Sequence, residues 1–78
     1  MTYEIIVQLK AEVLDPEGRA IQETLARLGF GALKAVQVAK RYSIELDAKA
    51  PEADELVQRI AREYLANPVS ETFQVRKL

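Results

Sequence analysis

Apolar and polar residues alternate at the start of the chain in the period-two pattern of a half-buried β-strand. One face of the stretch YEIIVQLK carries only large apolar side chains, namely Tyr3, Ile5, Val7 and Leu9. The residues between them are mostly polar. We therefore predict a first strand from about Thr2 to Lys10.

Helix signals follow this strand. Asp15 is a residue type that accepts hydrogen bonds from the free amides of a helix start, and Pro16 has a preset φ and no amide to leave unpaired. Apolar residues then recur at helical spacing at Ile21, Leu25 and Leu28. Gly29 readily adopts the left-handed conformation that ends a helix. These features predict one helix from about Pro16 to Leu28.

Apolar residues between Leu33 and Leu46 keep a single parity over a stretch without Gly, Pro, Asn or Asp. A two-residue hairpin inside the stretch would reverse that parity, so one long strand is the simpler interpretation. A three-residue loop at Ala39, Lys40 and Arg41 preserves the parity and stays open as an alternative.

A second helix and a last strand complete the pattern. Pro51 is expected to start the helix, and Asn67 and Pro68 to end it. Its expected buried stripe comprises Leu56, Val57, Ile60, Tyr64 and Leu65. The residues after Pro68 alternate again, which predicts a strand with Phe73 and Val75 on its apolar face.

The predicted order is strand, helix, long strand, helix, strand. Each helix has one apolar stripe and each strand one apolar face, so we expect an α+β fold in which two helices cover one face of a small, mostly antiparallel sheet. Residues 1–78 form one domain, and a hairpin within the long strand would make it ferredoxin-like. An unpaired extension of the long strand favours pairing with another chain, so we expect a homo-oligomer, either a dimer or a tetramer.

Composition limits the chemistry of the chain. Among 78 residues there is no cysteine and no histidine, so the usual thiolate and imidazole nucleophiles, bases and metal ligands are absent. The carboxylates concentrate in helix first turns, where the helix dipole accounts for them. We therefore predict no catalytic, cofactor-binding or metal-binding residue in this chain.

The nature of the partners follows from charge and aromatic placement. The net charge of -1 provides no overall positive field for nucleic acid or an anionic membrane. The aromatic residues fall at positions predicted to be buried or to cap a helix, which argues against a base-stacking surface; they are Tyr3, Phe30, Tyr42, Tyr64 and Phe73. No signal peptide or membrane span is recognisable, and we expect a cytoplasmic protein.

Lys40 and Arg41 are candidates for a docking surface.

Four motifs together resemble a known family. They are VLDPEGRAI at residues 13–21, LGF at 28–30, VQVAKRYSIEL at 36–46 and LANPVSETFQV at 65–75. In this order and spacing they are similar to the PurS subunit of phosphoribosylformylglycinamidine synthase. The chain departs from the family pattern at Ala39, where a glycine is typical, and at Ser70, where a bulky apolar residue is common.

The resemblance implies a non-catalytic adaptor in de novo purine biosynthesis. PurS-like proteins assemble with the glutaminase PurQ and the synthase PurL, which binds ATP and magnesium. The complex converts formylglycinamide ribonucleotide to its amidine with ammonia from glutamine, and the small subunit bridges its partners and supports ammonia transfer. The resemblance also puts residues 67–71 at a subunit junction. The candidate interface residues are Lys40, Arg41, Asn67, Pro68, Val69 and Glu71.

A second function class stays open. A homo-oligomeric regulatory or interaction module of ferredoxin-like type, binding a small molecule between subunits, has the same composition and element order. No residue in the sequence selects a ligand for it.

Overall fold

A three-stranded antiparallel sheet forms the centre of the fold. In a computed structural model, which describes residues 1–47 and 49–78, the sheet order is β2-β1-β3. The elements are β1 (Thr2–Leu9), α1 (Pro16–Arg27), β2 (Ala39–Glu45), α2 (Ala53–Ile60) and β3 (Glu71–Lys77). A π-helical turn, Ala61–Leu65, continues directly from α2. The predicted α+β class, with an antiparallel sheet and two helices, is confirmed.

The core lies between β1 and α2. Tyr3, Ile5 and Val7 are buried, which confirms the period-two prediction for the first strand. They share the core with Ala53, Val57 and Ala61, which recur every four residues along one side of the helix. Half-buried Phe73 and Val75 extend the core across β3, also as predicted. A face of alanine and valine lets the helix backbone approach the sheet closely.

The start and the exposed side of α2 differ from the prediction. The helix begins at Ala53 rather than Pro51, because Glu52 adopts a left-handed conformation with φ 53°. Leu56 lies on the solvent side. Tyr64 is 75% exposed. The π-helical turn accommodates more residues per turn than an α-helix, so the angular spacing that assigned Tyr64 to the buried stripe does not apply there.

Only the second half of the predicted long strand forms a β-strand. Strand β2 occupies Ala39–Glu45, and residues 33–38 precede it without strand pairing. The last pair between β1 and β2 joins Gln8 to Ala39, so within residues 1–47 and 49–78 no neighbouring strand extends beside residues 33–38. Ala39, Lys40 and Arg41 all pair with β1, and the three-residue loop left open by the parity argument is therefore wrong.

Helix α1 packs beside residues 33–38, whereas α2 alone covers the sheet. A Cβ atom on Gly18 would lie 2.0 Å from the carbonyl oxygen of Val36, so only glycine permits this approach. Further along α1, the side-chain amide of Gln22 donates to the carbonyl of Lys34 at 2.9 Å. The expectation that both helices cover the sheet holds for α2 and not for α1.

This arrangement makes the chain elongated. Its extents are 51, 25 and 13 Å, and its radius of gyration is 16.1 Å. A compact chain of this length has a radius of gyration of about 11–12 Å. Among the described residues, no helix is both long enough and apolar enough to cross a membrane.

Candidate subunit interfaces

The start of α1 is anchored to the end of β2 by one carboxylate. Asp15 accepts from the Gly18 amide at 2.9 Å and from the Val38 amide at 3.1 Å. Hydrogen bonds from Gly18, then from Val38, hold the pKa of Asp15 below its usual value. Pro16 occupies the first turn, so the predicted start cap is confirmed. Asp15 therefore fixes where α1 leaves the sheet.

The predicted cap at the other end of α1 is also confirmed. Gly29 has φ 104°, and its amide donates to the carbonyl of Ala26 at 3.2 Å. The amide of Phe30 donates to the carbonyl of Leu25 at 3.0 Å, which completes a Schellman motif. The ring of Phe30 nevertheless stays 57% exposed, so the expectation that it caps the helix as part of the core is wrong.

A groove lies between the start of α1 and the end of the sheet, and we call it the end groove. Its volume is about 240 Å³ and its lining is mostly apolar. The apolar residues that line it are Val7, Leu9, Pro16, Val38 and Ala39, and the charged ones are Asp15, Glu17, Lys40 and Glu71. Two of the six predicted interface residues, Lys40 and Glu71, therefore meet here. Strand register explains this, because Lys40 pairs with Val7 and Glu71 with Leu9, on one face of the sheet.

Residues 67–71 form a tight turn that leads into β3. The side-chain oxygen of Asn67 accepts from the Val69 amide at 2.9 Å, and the Asn67 amide donates to the Glu71 carboxylate at 2.7 Å. These bonds hold the turn in shape and leave Val69 81% exposed, with Pro68 exposed beside it. The turn continues into the end groove through Glu71. A rigid turn with an exposed apolar tip is well suited to contact another subunit.

Arg41 lies on the opposite face of the sheet from Lys40, because successive side chains in a strand alternate. It donates to the carboxylate of Glu4, and Arg76 approaches the same carboxylate at 3.2 Å. The hydrogen bond from Arg41, with the charges of Arg76 and Arg41, lowers the pKa of Glu4 against the opposing effect of burial. The two adjacent cations therefore do not form one patch.

Several contacts that shape these surfaces were not predicted from the sequence. Gly18 stands inside a helix, where glycine is unfavourable by about 1 kcal/mol, and that position signals a close approach. The exposure of Tyr64 and Phe30 could not be predicted, because an apolar residue in or next to a helix does not reveal which chain covers it. Tyr3 donates a hydrogen bond to Asp54, which joins β1 to the start of α2 and raises the pKa of the tyrosine.

Comparison with known proteins covers nearly the whole chain. The family model for PurS, phosphoribosylformylglycinamidine (FGAM) synthase, matches residues 2–78. A PurS subunit of FGAM synthase from Methanocaldococcus jannaschii is 38% identical over 73 residues, which are 92% of this chain and 88% of the relative. The structure of Bacillus subtilis PurS is similar with a TM-score of 0.87, 28% identity and coverage of 96% and 94% of the two chains. A chain in the structure of PurLQS from Thermotoga maritima is similar with a TM-score of 0.85, 33% identity and coverage of 99% and 95%.

Proposed function

Because the chain belongs to the PurS family of FGAM synthase subunits, we propose that it bridges the glutaminase PurQ and the synthase PurL and supports ammonia transfer between them. FGAM synthase is a ligase complex of purine biosynthesis, and the chain is its PurS subunit. The match of the family model to residues 2–78 carries this proposal. The T. maritima PurLQS structure, which includes a similar chain, supports the choice of partners.

The adaptor role agrees with the side-chain chemistry. The chain has no cysteine or histidine with which to hydrolyse glutamine. Among the residues that the structure describes, no three acidic side chains gather to hold a metal ion. In this proposal PurQ releases ammonia from glutamine, and PurL holds ATP, magnesium and formylglycinamide ribonucleotide.

The turn of residues 67–71, together with the end groove, is the surface that we assign to a partner subunit. Val69 offers an exposed apolar side chain on a turn that is already ordered, so binding orders little additional backbone. Lys40 and Glu71 add one charge of each sign beside the apolar lining of the groove. Apolar contact flanked by charges is the usual anatomy of a specific interface. Arg41, on the other face, belongs to a separate surface.

The chain also acts as a homo-oligomer, a dimer or a tetramer, in this proposal. Its elongated shape and the apolar side chains exposed along α1 support self-association.

Reconstitution of the complex tests the adaptor role. Glutamine-dependent amidine formation by PurQ and PurL from the same organism is measured with ATP, magnesium and nucleotide, with and without this chain, and an ammonia-driven reaction serves as control. We expect glutamine-dependent turnover to require the chain and ammonia-driven turnover to proceed without it. If adding the chain changes neither turnover nor assembly, the adaptor role is wrong.

Substitution of Val69 tests the assigned surface. We expect Val69→Lys to weaken assembly at least about tenfold, because a charged side chain replaces an apolar contact at the interface. Stability should change by no more than about 0.5 kcal/mol, since the side chain is exposed. Leu78→Lys is the matched control, an apolar-to-lysine change at an exposed residue beyond β3. Equal assembly affinities for the two variants, measured by titration calorimetry, would remove residues 67–71 from the interface.

A further inference from the structure

Asp15 makes one more hydrogen bond than a helix cap needs. Asn, Asp and Ser cap helices about equally well, because one side-chain oxygen is enough to accept from an amide of the first turn. In this chain, one carboxylate oxygen of Asp15 caps α1 by accepting from the Gly18 amide at 2.9 Å. The other oxygen accepts from the Val38 amide at 3.1 Å, 23 residues further along the chain. The second bond therefore serves a purpose separate from the helix.

The Val38 amide has no partner in a neighbouring strand. Val38 directly precedes β2, and the last pair between β1 and β2 joins Gln8 to Ala39. The carboxylate of Asp15 supplies the acceptor that a longer β1 would otherwise provide. Among the described residues, this is the only hydrogen bond between the first turn of α1 and the segment that enters β2.

The two residues joined by this bond both line the end groove, one on each side. Asp15, Pro16 and Glu17 line it from the start of α1. Val38 and Lys40 line it from β2 and the residue before it. Because the bond runs from one side of the groove to the other, it fixes how far apart the two sides lie.

Other contacts near the groove do not fix this separation. Gly18 lets α1 approach the Val36 carbonyl closely but donates no hydrogen bond to it. The Lys10 amide donates to the Ser70 carbonyl at 2.9 Å, which holds the chain before α1 to the turn of residues 67–71 and not to β2. The Asp15 bond is thus the attractive contact between the two sides.

We propose that Asp15 is a positioning residue for subunit assembly: its bond to the Val38 amide sets the width of the end groove and holds the groove in the shape that a partner subunit binds. This inference rests on the proposed function, which assigns the groove and the turn of residues 67–71 to a partner. A surface that already has its bound shape loses less conformational freedom on binding, and its affinity is higher for that reason. Asp15 acts through the shape of the groove and needs no contact with the partner.

The variant Asp15→Asn separates the two bonds of the carboxylate. Asparagine caps a helix as well as aspartate does, so its side-chain oxygen still accepts from the Gly18 amide. Its side-chain NH₂ group then faces the Val38 amide, and two donors cannot pair. In the chain alone, we expect hydrogen exchange of the Val38 amide to become at least about tenfold faster, while the Gly18 amide stays protected. Equal Val38 exchange rates in the wild type and Asp15→Asn would overturn the inference.

Partner binding tests whether this geometry matters for assembly. We expect Asp15→Asn to raise the dissociation constant of the chain for a mixture of PurQ and PurL about five- to tenfold in titration calorimetry. The titration is run where urea unfolding shows both chains to be fully folded. A role in stability alone would lower the free energy of unfolding and leave the affinity of the folded chain unchanged.

Two further variants control for the chemical change. Asp47→Asn is the matched control, because the Asp47 carboxylate also accepts from a backbone amide, that of Lys49 at 3.2 Å, but lies outside the groove. It should leave the dissociation constant unchanged. Glu17→Gln removes a negative charge from the groove without altering the Val38 bond, so it should weaken binding less than Asp15→Asn does. Equal losses of affinity in Glu17→Gln and Asp15→Asn would assign the effect to charge and overturn the positioning role.

The two proposals fail in different measurements. Failure of the adaptor role appears with the wild-type chain, as glutamine-dependent turnover that does not depend on it. Failure of the positioning role appears only in Asp15→Asn, as unchanged Val38 exchange or unchanged affinity, while turnover still requires the wild-type chain.

Discussion

Replacement of Gly18 by alanine puts two opposing effects in competition. In a helix interior, alanine is favoured over glycine by about 1 kcal/mol. At this position, however, the new Cβ atom would lie 2.0 Å from the Val36 carbonyl oxygen and 3.0 Å from a carboxylate oxygen of Asp15. Ordinary contacts require more than 3 Å, so α1 and residues 33–38 must separate by roughly 1 Å.

The steric effect should prevail. Overpacking of this kind costs about 1–3 kcal/mol, and the separation also strains the Asp15 bond to the Val38 amide. The weakened Asp15 bond adds to the overpacking cost, so after about 1 kcal/mol of helix preference is subtracted we expect Gly18→Ala to lower the free energy of unfolding by about 1–2 kcal/mol. For a domain of this size, that is a fall in melting temperature of roughly 5–15 °C.

The other two glycines supply the controls for this experiment. Gly31 has open space around its Cβ position, so Gly31→Ala should not destabilise the chain. Gly29 also has open space but a φ of 104°, so Gly29→Ala should cost about 1 kcal/mol through backbone strain alone. Urea unfolding followed by circular dichroism, at one fixed chain concentration, compares the three variants. If Gly18→Ala is as stable as the wild type, the close approach of α1 to Val36 is wrong.

Two further predictions concern Glu52 and Glu4. Glu52→Gly should stabilise the chain by about 1 kcal/mol, because glycine adopts a φ of 53° without strain, whereas Glu55→Gly inside α2 should destabilise it by a similar amount. Thermal unfolding measures both, and a loss of stability in Glu52→Gly would contradict the strained conformation. Because its arginine partners lower the pKa of Glu4, the stability they contribute is complete above the unfolded pKa of about 4.5 and is lost as pH falls through the lower folded pKa. When urea unfolding is measured from pH 7 to 2, the free energy of unfolding should therefore fall less steeply with pH in Glu4→Gln than in the wild type. Glu23→Gln, in the exposed pair with Arg19, is the control. Identical losses of stability in the wild type and Glu4→Gln would refute this reasoning.

Local chemistry made some elements predictable from the sequence. Asp15 and Gly29 act within a few residues of themselves, so both ends of α1 were predicted to within one residue. The alternation in β1 was reliable because Tyr3, Ile5 and Val7 on one face of that strand are buried, and a shift of one residue would expose them. The helix caps and the alternation are both local patterns that can be read within a few residues.

Other features depend on contacts that no single segment encodes. A β-strand needs a neighbouring strand to pair with. The alternation of residues 33–46 did not reveal that β1 ends too early to pair with residues 33–38. Apolar spacing marked Leu28 and Tyr64 as residues to be covered but did not specify the covering chain. The candidate interface residues also lie on two faces of the sheet. Lys40 and Arg41 are adjacent in sequence, and successive residues of a strand lie on opposite faces.

The position of β1 in the middle of the sheet has a consequence for the timing of folding. β1 is synthesised before both of its neighbours, and its pairing with β3 joins residues as far apart as Tyr3 and Lys77. During translation, therefore, the central strand is present while neither flank exists to pair with it. Such distant pairing makes folding slow relative to helical domains of the same size. The apolar face of Tyr3, Ile5 and Val7 is without its native cover throughout that interval, so nascent chains of this protein are expected to need protection from aggregation until β3 has been made.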